Sequence, residues 1–583
     1  MLTKRFFLST IAGALALAGC SASQSTADHA QSAAAQPVTV IQGTDEAFTS
    51  EAIYFVVTDR FVEGDPSNNH EDQGGDNPTW ELRMDGPDGK FANVGYMGGD
   101  LQGVLNNADY IRDLGFSAVW LTPVLDNPDE AFTGGEPITF GGQFKDGGKT
   151  GYHGYWATNF YQPDEHLVSA NLSFKDYTSG MKQHGLKTVF DIVANHGSPS
   201  YSMPEDQPGY GELYDADGKL VADHANLHPT EIDQSQPLQA FFHPYPDLSE
   251  LSNLDESNPD VQEYLINAYL YWIEQGADAF RIDTIRHVSH DFWRTMADRI
   301  RAEHPDFFMF GESFVYDANF IAQHTLPKNG GVSVLDFPMQ KAMNEVFGDL
   351  SQNTGEENQG EAPKAPVSTG YAKLAEVLYL THGPYDNPYE LTTFYDNHDM
   401  ARMNASDTGF INANNWLFTV RGIPVIYQGS EIGFMRGTSE HQGNRNYLGQ
   451  EALNNAPNHP IYQGLKAIAN VRANTPALQR GLQVNLNFAD NTASFYRIVQ
   501  NDEHSQTALV LLNKASDAAD FSVGDYMQPG QWTEQLSGRS VQLSDGEALS
   551  STVEANGVQV WVHNGPVTNQ ALLQAIETQM ARQ

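Results

Sequence analysis

Four short segments of the sequence each carry an acid, a histidine or both. These segments read DIVANH at 191–196, FRIDTIRH at 280–287, GE at 311–312 and FYDNHD at 394–399. Paired carboxyl groups suit the breaking of a glycosidic bond, because one can attack the anomeric carbon while the other protonates the leaving oxygen. The candidates for this chemistry are Asp283, Glu312 and Asp399.

Each segment follows or closes a short apolar run that is typical of a buried β-strand. Amphipathic stretches with apolar residues every three or four positions fill most intervals, including 104–114, 261–275 and 292–303. Eight β-then-α units predict a (β/α)8 TIM barrel, in which catalytic groups stand at the carboxyl ends of the strands. No glycine-rich phosphate fingerprint follows the first strand, which argues against an open dinucleotide-binding sheet. The predicted strands are 53–58, 118–122, 188–193, 279–282, 307–310, 332–337, 391–395 and 423–427.

Two regions depart from this alternation. Residues 195–256 are rich in Pro, Gly, Asp and His, which predicts a domain inserted after the third strand. From residue 477 to about 565, short alternating runs separated by Asn, Asp and Gly predict a C-terminal all-β sandwich domain. The catalytic barrel is therefore expected at 46–476, and a terminal helix or tail at 566–583.

The charge balance argues against two classes of partner. The chain has 32 basic and 74 acidic residues and a net charge of −42. Nucleic acids and anionic membrane surfaces both attract basic patches, so neither is an expected partner. The acidity favours solubility and says nothing about catalysis.

The N-terminus has the pattern of an exported protein. Lys4 and Arg5 precede an apolar stretch that is too short to span a bilayer, as in a secretory signal. The sequence LAGC at 17–20 resembles the bacterial lipoprotein cleavage box, which implies a signal peptide at 1–20 and a lipid anchor on Cys20. Residues 21–45 are then a flexible tether to the cell envelope, with the outer membrane favoured by Ser21 and a periplasmic or cell-surface location. Cys20 is the only cysteine, so no intramolecular disulfide can form.

Taken in order, the motifs resemble those of the α-amylase family of retaining glycoside hydrolases over about residues 50–565. Further matching stretches are IYFVVTDRF at 53–61, GGDLQG at 98–103, AVWLTP at 118–123, YHGYW at 152–156 and GIPVIY at 422–427. The resemblance implies that Asp283 is the nucleophile, Glu312 the acid/base, and Asp399 the stabiliser of the transition state. Because Glu312 must be protonated near neutral pH, its pKa is expected to be raised.

The resemblance also implies a set of sugar-binding residues around the acids. Tyr155 and Trp156 offer flat faces for stacking on a sugar ring, although Trp156 is equally suited to core packing. His196 and His398 would hydrogen-bond the sugar at the cleaved residue. The other residues assigned to substrate binding are Arg281, which can hold Asp283 ionised, Arg286 and His287 on the leaving-group side, and Arg402 in the ionic shell of Asp399.

One or two calcium ions are implied as well. The first would join the inserted domain to the barrel through Asn195, Asn253 and the carbonyl of His287; Asn253 stands where relatives usually carry Asp, which lowers the charge. The second resembles a loop of cyclodextrin-forming relatives, rich in the oxygen ligands that calcium prefers. Its residues are Glu63, Asp65, Asn68, Asn69, Gly98 and Asp100.

Three functions compete for the α-glucan partner that the resemblance implies. The favoured one is endo-hydrolysis of α-1,4 bonds in starch, glycogen or maltodextrins. Cyclodextrin glucanotransferase activity is supported by the N-terminal calcium loop and residues 213–220. It is opposed by Ser249, where those enzymes carry an aromatic residue, and by the lack of further domains after about 565. The third is a non-catalytic glycan-binding surface lipoprotein, which the intact set of three acids and two histidines opposes.

Overall fold

A computed structural model describes residues 40–142, 145–349 and 370–580. Eight parallel strands form one sheet, and a bridge between Leu335 and Thr392 joins its edge strands into a closed barrel. The predicted (β/α)8 fold is therefore confirmed. The strands are β1 Ile53–Val56, β2 Ala118–Leu121, β3 Lys187–Ile192, β4 Ala279–Ile282, β5 Phe308–Gly311, β6 Ser333–Val334, β7 Thr392–Thr393 and β8 Ile423–Tyr427.

Strands β6 and β7 are shorter than the sequence predicts. Each has two residues, where runs of six and five were expected. After β6, the Asp336 side chain accepts a hydrogen bond from the Met339 backbone, and Pro338 occupies the first helical turn. Both features start a helix, so the apolar run divides between a strand and a helix.

Most helices pack around the outside of the barrel and bury their apolar faces against it, whereas the last, Gln570–Met580, buries Leu572 and Ile576 in the core of the C-terminal domain. The helical stretch predicted over 104–114 is helical except for a break at Asn107, whose side chain donates to the Gly103 carbonyl at 2.8 Å. The helices are Leu101–Asn106, Ala108–Leu114, Phe174–Gln183, Pro259–Glu274, His290–Glu303, Ala318–Ile321, Phe337–Phe347, Tyr371–Val377, Asp407–Leu417, Gly449–Asn455, Pro460–Ala473, Pro476–Arg480 and Gln570–Met580.

Aromatic side chains fill the inside of the barrel. Phe55 of β1 stacks on Trp120 of β2 with ring centroids 3.8 Å apart, and Trp120 meets Phe310 of β5 edge to face. These rings belong to one buried cluster. The cluster forms a rigid floor under the groups at the carboxyl ends of the strands.

The inserted region after β3 is built from small sheets. The strands Glu212–Tyr214 and Leu220–Asp223 join Leu125–Asp126 and Asn159–Pro163, which come from the connection after β2. The strands His196–Pro199 and Leu251–Asn253 pair with each other. The sheet around the insertion thus includes chain outside 195–256, and two connections together form this side of the barrel mouth.

The C-terminal region is all-β, as predicted. A six-stranded antiparallel sheet packs against a two-stranded sheet around one apolar core. Outside the C-terminal region, the strands Arg83–Asp85 and Phe91–Asn93 form a hairpin in the connection after β1. The C-terminal strands are Leu482–Phe488, Thr492–Gln500, Ser505–Asn513, Ala519–Val523, Gly530–Glu534, Ser540–Leu543, Leu549–Val553 and Gly557–Asn564.

The N-terminal end of the described chain is packed against the C-terminal domain. Ile41 is fully buried and exchanges backbone hydrogen bonds with Gln500 at 2.8 and 2.7 Å. The predicted tether to residue 45 is therefore wrong over 40–45. The signal peptide and the lipid anchor on Cys20 lie outside the described residues and stay predictions. Within the described ranges, no helix is both long and apolar enough to cross a bilayer.

Candidate active site

The two acids expected to react stand side by side at the carboxyl end of the barrel. Asp283 directly follows β4, and its backbone N–H donates to the Ile192 carbonyl at 2.8 Å. Glu312 directly follows β5, and its N–H donates to the Ile282 carbonyl at 2.8 Å. These bonds continue the parallel ladder by one residue and fix both acids at the barrel mouth.

One buried guanidinium contacts both of these acids. Arg281 lies two residues before Asp283 and so faces the same side of β4. Its Nη1 is 2.9 Å from Asp283 Oδ1 and 2.9 Å from Asp191 Oδ1, while its Nη2 is 3.0 Å from Glu312 Oε2. Arg281 is fully buried. Arg281 was predicted to bind the sugar, but because it is buried it instead supports the carboxylates from below.

The environment of Glu312 suits a proton donor. Burial raises the pKa of Glu312 to about 8; the Arg281 charge opposes the rise, and the negative charges of Asp399 and Asp283 add to it. Glu312 Oε1 is buried and has no hydrogen-bond partner among the described residues. One carboxyl oxygen thus contacts Arg281, and the other is available to carry a proton to a leaving group.

Tyr155 and Asp191 form the wall beside Arg281. The Tyr155 hydroxyl donates to Asp191 Oδ2 at 2.8 Å, and the Trp120 indole donates to the same oxygen at 2.9 Å. The Tyr155 ring lies nearly parallel to the ring of His398, with centroids 5.4 Å apart. Asp191 is fully buried by these contacts, so it fixes Tyr155 and Arg281 and is not free to react.

Asp399 has a different arginine partner from the one predicted. Arg445 Nη2 is 2.7 Å from Asp399 Oδ1, and Arg445 Nε donates to the His398 carbonyl at 3.0 Å. Arg402 instead donates to the carbonyls of Asn444 and Gln428 and lies over the Tyr427 ring. The assignment of Arg402 to the shell of Asp399 is therefore wrong. Arg445 lies outside all of the sequence motifs, so only the folded chain identifies it as the partner of Asp399.

The two motif histidines are buried and neutral. Burial lowers the pKa of His196, and burial with the nearby charges of Arg445 and Arg281 holds the pKa of His398 well below its usual value. His398 Nε2 lies 3.3 Å from Asp399 Oδ2, and neither ring nitrogen of His398 has a hydrogen-bond partner among the described residues. A neutral imidazole with free nitrogens can both donate to and accept from sugar hydroxyls.

His153 is a third histidine at the site, and the sequence prediction did not include it although it lies in the YHGYW motif. His153 Nδ1 accepts a hydrogen bond from the Tyr155 backbone at 3.1 Å, while its buried Nε2 has no partner among the described residues. Trp156 of the same motif packs into a buried cluster with Phe132, Met203 and Tyr210. Only 3% of Trp156 is exposed, so its predicted stacking role is corrected to core packing.

The residues predicted for the leaving-group side are joined in a chain of hydrogen bonds. Arg286 Nε donates to His287 Nε2 at 2.9 Å, and Arg286 Nη1 donates to the Phe314 carbonyl at 3.3 Å. His287 Nδ1 is 2.9 Å from a carboxylate oxygen of Asp247 in the inserted region. The chain places Arg286 and His287 beside the segment that follows Glu312.

The loop predicted to hold the second calcium brings its oxygens together. A Cβ added to Gly98, whose φ is +86°, would lie 2.5 Å from Glu63 Oε2 and 2.9 Å from Asn69 Oδ1. The side-chain oxygens of Asn68 and Asn69 are buried without hydrogen-bond partners in the described chain. Burial and the charge of Glu63 together raise the pKa of Asp100 to about 6, although hydrogen bonds from Gly103, Asp65 and Asn68 oppose the rise. The unpaired amide oxygens of Asn68 and Asn69, with the carboxylates of Glu63 and Asp100 close by, fit a calcium ion.

Asp65 has another role in this loop. Its Oδ1 accepts hydrogen bonds from the backbone and the hydroxyl of Ser67, at 3.1 and 2.6 Å. The side chain therefore caps the turn Pro66–Asn68 through Oδ1, as Asp100 caps the helix Leu101–Asn106, and its assignment as a calcium ligand stays a prediction.

The residues predicted for the first calcium do not fit an ion in the same way. Asn195 Nδ2 donates to Asp247 Oδ2 at 3.1 Å, and Asn253 Nδ2 donates to the Tyr245 carbonyl at 3.3 Å. The nearby carboxylate of Asp247 is already engaged by His287. These hydrogen bonds use only the amide nitrogens of Asn195 and Asn253, so the first calcium site stays a prediction.

Comparison with known proteins agrees with this geometry. Residues 55–460 match the family model for the α-amylase catalytic domain. A cyclomaltodextrin glucanotransferase of Thermoanaerobacterium thermosulfurigenes is 28% identical over 538 residues, which cover 88% of this chain and 68% of that protein.

Two solved structures extend the likeness to the fold. An α-amylase from Geobacillus thermoleovorans, complexed with acarbose, is 27% identical with a TM-score of 0.63 over 88% of this chain and 98% of that one. A cyclomaltodextrin glucanotransferase with a three-domain ABC distribution is 28% identical with a TM-score of 0.68, over 88% and 99% of the two chains. From the family match and the arrangement of the three acids, we conclude that this chain belongs to the α-amylase family of glycoside hydrolases.

Proposed function

We propose that the protein hydrolyses α-1,4-glucosidic bonds within starch, glycogen or maltodextrins, with retention of the anomeric configuration. The observation that carries this proposal is the contact of both Asp283 and Glu312 with the guanidinium of Arg281. Retaining enzymes hold their two carboxyl groups ~5–5.5 Å apart, whereas inverting enzymes separate them enough to admit a water molecule. A shared guanidinium favours the closer arrangement.

The proposed reaction has two steps. Asp283, held by Arg281, attacks the anomeric carbon while Glu312 protonates the departing oxygen, which leaves a glycosyl–aspartate ester. Glu312, now ionised, takes a proton from water as that water attacks the ester and releases Asp283. Asp399 and His398 bind the ring hydroxyls and stabilise the positive charge that develops in both transition states.

The proposal that the substrate is an α-glucan is supported by the relatives and by the shape of the site. The Geobacillus α-amylase is described as complexed with acarbose. In the present chain, the Tyr155 ring, the two neutral histidines and Asp399 surround the acids with one apolar face and several hydrogen-bonding groups. Sugars present the same combination of apolar faces and hydroxyl edges.

Transglycosylation to cyclic products is the second candidate. It is favoured by the likeness to cyclomaltodextrin glucanotransferases. One of these has a three-domain ABC distribution, so the number of domains does not discriminate between the two activities. The presence of Ser249 instead of an aromatic side chain remains the feature that favours hydrolysis.

We also propose that one calcium ion binds the loop of Glu63, Asn68, Asn69, Gly98 and Asp100. The unpaired amide oxygens and the buried carboxylate support this proposal. The ion would neutralise the loop and hold its two ends together. No step of the proposed reaction passes through it.

Replacing the nucleophile tests the proposed reaction. Asp283→Asn is expected to lower kcat on soluble starch by a factor on the order of 10⁴ to 10⁶, because the ester can no longer form. Asp291→Asn, at an exposed carboxylate paired with Arg294, is the control and should keep the parent rate.

Chromatography of the parent's products separates the candidate functions. Linear maltooligosaccharides support hydrolysis, and cyclic products would instead establish the transferase. A parent that binds glucan without any turnover would show a non-catalytic binding protein.

A further inference from the structure

A line of alternating charges runs from Asp399 across the barrel mouth. Arg445 Nη2 is 2.7 Å from Asp399 Oδ1, and Arg445 Nη1 is 2.9 Å from Glu440 Oε1. The same oxygen of Glu440 is 3.0 Å from Lys149 Nζ. Lys149 Nζ is also 3.1 Å from Asp146 Oδ1, where the line ends.

The members of this line are largely shielded from water. The side chains of Arg445 and Lys149 are each 7% exposed, and that of Glu440 is 19% exposed. By contrast, the ion pair of Lys145 with Glu136 in the same connection is 35% and 76% exposed. Exposed pairs are screened and contribute little, whereas charges in a shielded line depend on one another.

Two connections of the barrel meet along this line. Lys149 lies in the long connection after β2, while Glu440 and Arg445 lie after β8. The backbones of the two connections are also joined, because the Gly141 N–H donates to the His441 carbonyl at 2.9 Å. The two connections are thus held together, which fixes the position of Lys149 relative to Glu440 and Arg445.

Glu440 can either support or weaken the hold of Arg445 on Asp399. All three guanidinium nitrogens of Arg445 are engaged, by Asp399, by Glu440 and by the His398 carbonyl. Lys149 shares the charge of Glu440, and His441 Nε2 also lies 3.3 Å from the same carboxylate oxygen. Without the Lys149 charge, the carboxylate would attract Arg445 more strongly and compete with Asp399 for the guanidinium.

We propose that Lys149 is a positioning residue that acts through Glu440 and Arg445 to hold Asp399 against the sugar hydroxyls. The inference rests on the proposed function, because Asp399 has this task only if the site breaks a glycosidic bond. Lys149 itself takes no part in the chemistry. Its effect should appear in the rate of the chemical step more than in substrate binding.

The test replaces Lys149 by Met, which removes the charge at similar length. We expect kcat on maltodextrin to fall about 10-fold to 100-fold with a smaller change in KM, because Asp399 shifts from its working position. Lys149→Arg should restore most of the rate. Lys145→Met, in the same connection, is the matched control and should behave as the parent.

The pH profile gives a readout that simple loss of packing would not produce. Asp399 faces Arg445, Arg281, Glu440, Lys149, His398, Glu312 and Tyr155. Burial raises the pKa of Asp399, the Arg445, Arg281 and Lys149 charges oppose this, and the Glu440 charge adds to it. Since Asp399 must be ionised, losing Lys149 should move the acidic limb of kcat/KM to higher pH.

A double-mutant cycle with Glu440→Gln decides whether Lys149 acts through Glu440. In the Glu440→Gln background, Lys149→Met should have almost no further effect on kcat. An equal loss in both backgrounds would overturn the relay, as would a Lys149→Met enzyme that matches the parent. Should Lys149→Met fail to fold, Lys149→Gln enters the same cycle. An inactive parent, in contrast, refutes the proposed function and not this inference alone.

Discussion

At the residue scale, the site depends on how charges are paired. The Arg281 guanidinium contacts Asp191, Asp283 and Glu312, so three acids share one buried cation. Removing a carboxyl group from water disfavours its charged form, and a nearby cation opposes this effect. For Glu312 the effect of burial is larger than that of the cation and raises its pKa to about 8, so Glu312 can keep its proton near neutral pH.

This pairing makes a prediction about pH. Because Glu312 acts as an acid and its pKa is about 8, kcat/KM should hold below that pH and fall as the pH rises through it. Glu312→Gln should lower kcat on maltodextrin by about 10²-fold to 10⁴-fold and remove this basic limb. Measured pH profiles of both enzymes check the prediction, with the exposed Glu303→Gln as control. A basic limb that persists in Glu312→Gln would assign the proton to another group.

At the element scale, the proposed calcium site depends on the connection that follows β1. The loop around Gly98 gathers oxygens of Glu63 and Asn69 at the place where a Cβ would stand. Gly98→Ala should therefore abolish calcium binding. The parent should gain about 2.7 kcal/mol of unfolding free energy when free calcium is 100 times its Kd, and the variant should gain none.

Gly89→Ala is the matched control for this experiment. Gly89 also has a positive φ, +75°, but nothing lies within 4 Å of its added Cβ. Both variants bear backbone strain, and only Gly98→Ala should lose the calcium-dependent part of Tm. A parent whose Tm does not respond to chelator would contradict the calcium assignment.

At the scale of the whole molecule, buried arginines join the barrel to the elements around its base. Arg497 of the C-terminal sheet donates to the Thr419 carbonyl at 2.9 Å, and Arg472 donates to the Thr49 carbonyl at 2.9 Å. Ile41 completes this junction by pairing with Gln500. The first described residues are therefore part of the folded body.

Truncation tests where the folded body begins. A chain starting at residue 40 should match the stability of the parent. A chain starting at residue 46 should lose about 2 kcal/mol, because the fully buried Ile41 is removed. Urea unfolding midpoints measure the difference, and Val40→Ala at an exposed side chain serves as control. Equal midpoints for the two truncations would place the boundary at 45 after all.

The sequence by itself determined the barrel and the reacting acids, because both are encoded locally. Apolar runs at regular intervals specify buried strands, and Asp283 and Glu312 directly follow two of them, so barrel geometry alone brings them together. Arg281 could be paired with Asp283 from the sequence because they lie two residues apart on one strand.

Only the tertiary structure decided which groups surround those acids. Arg445 is 46 residues from Asp399, and Lys149 lies in another connection altogether, so no spacing in the sequence links them. Trp156 is an example of a wrong assignment from the sequence. Its place in the motif suggested a sugar contact, but it is buried against Phe132 and Tyr210. Long-range ion pairs and core contacts depend on how loops pack, and loop packing is a property of the whole chain.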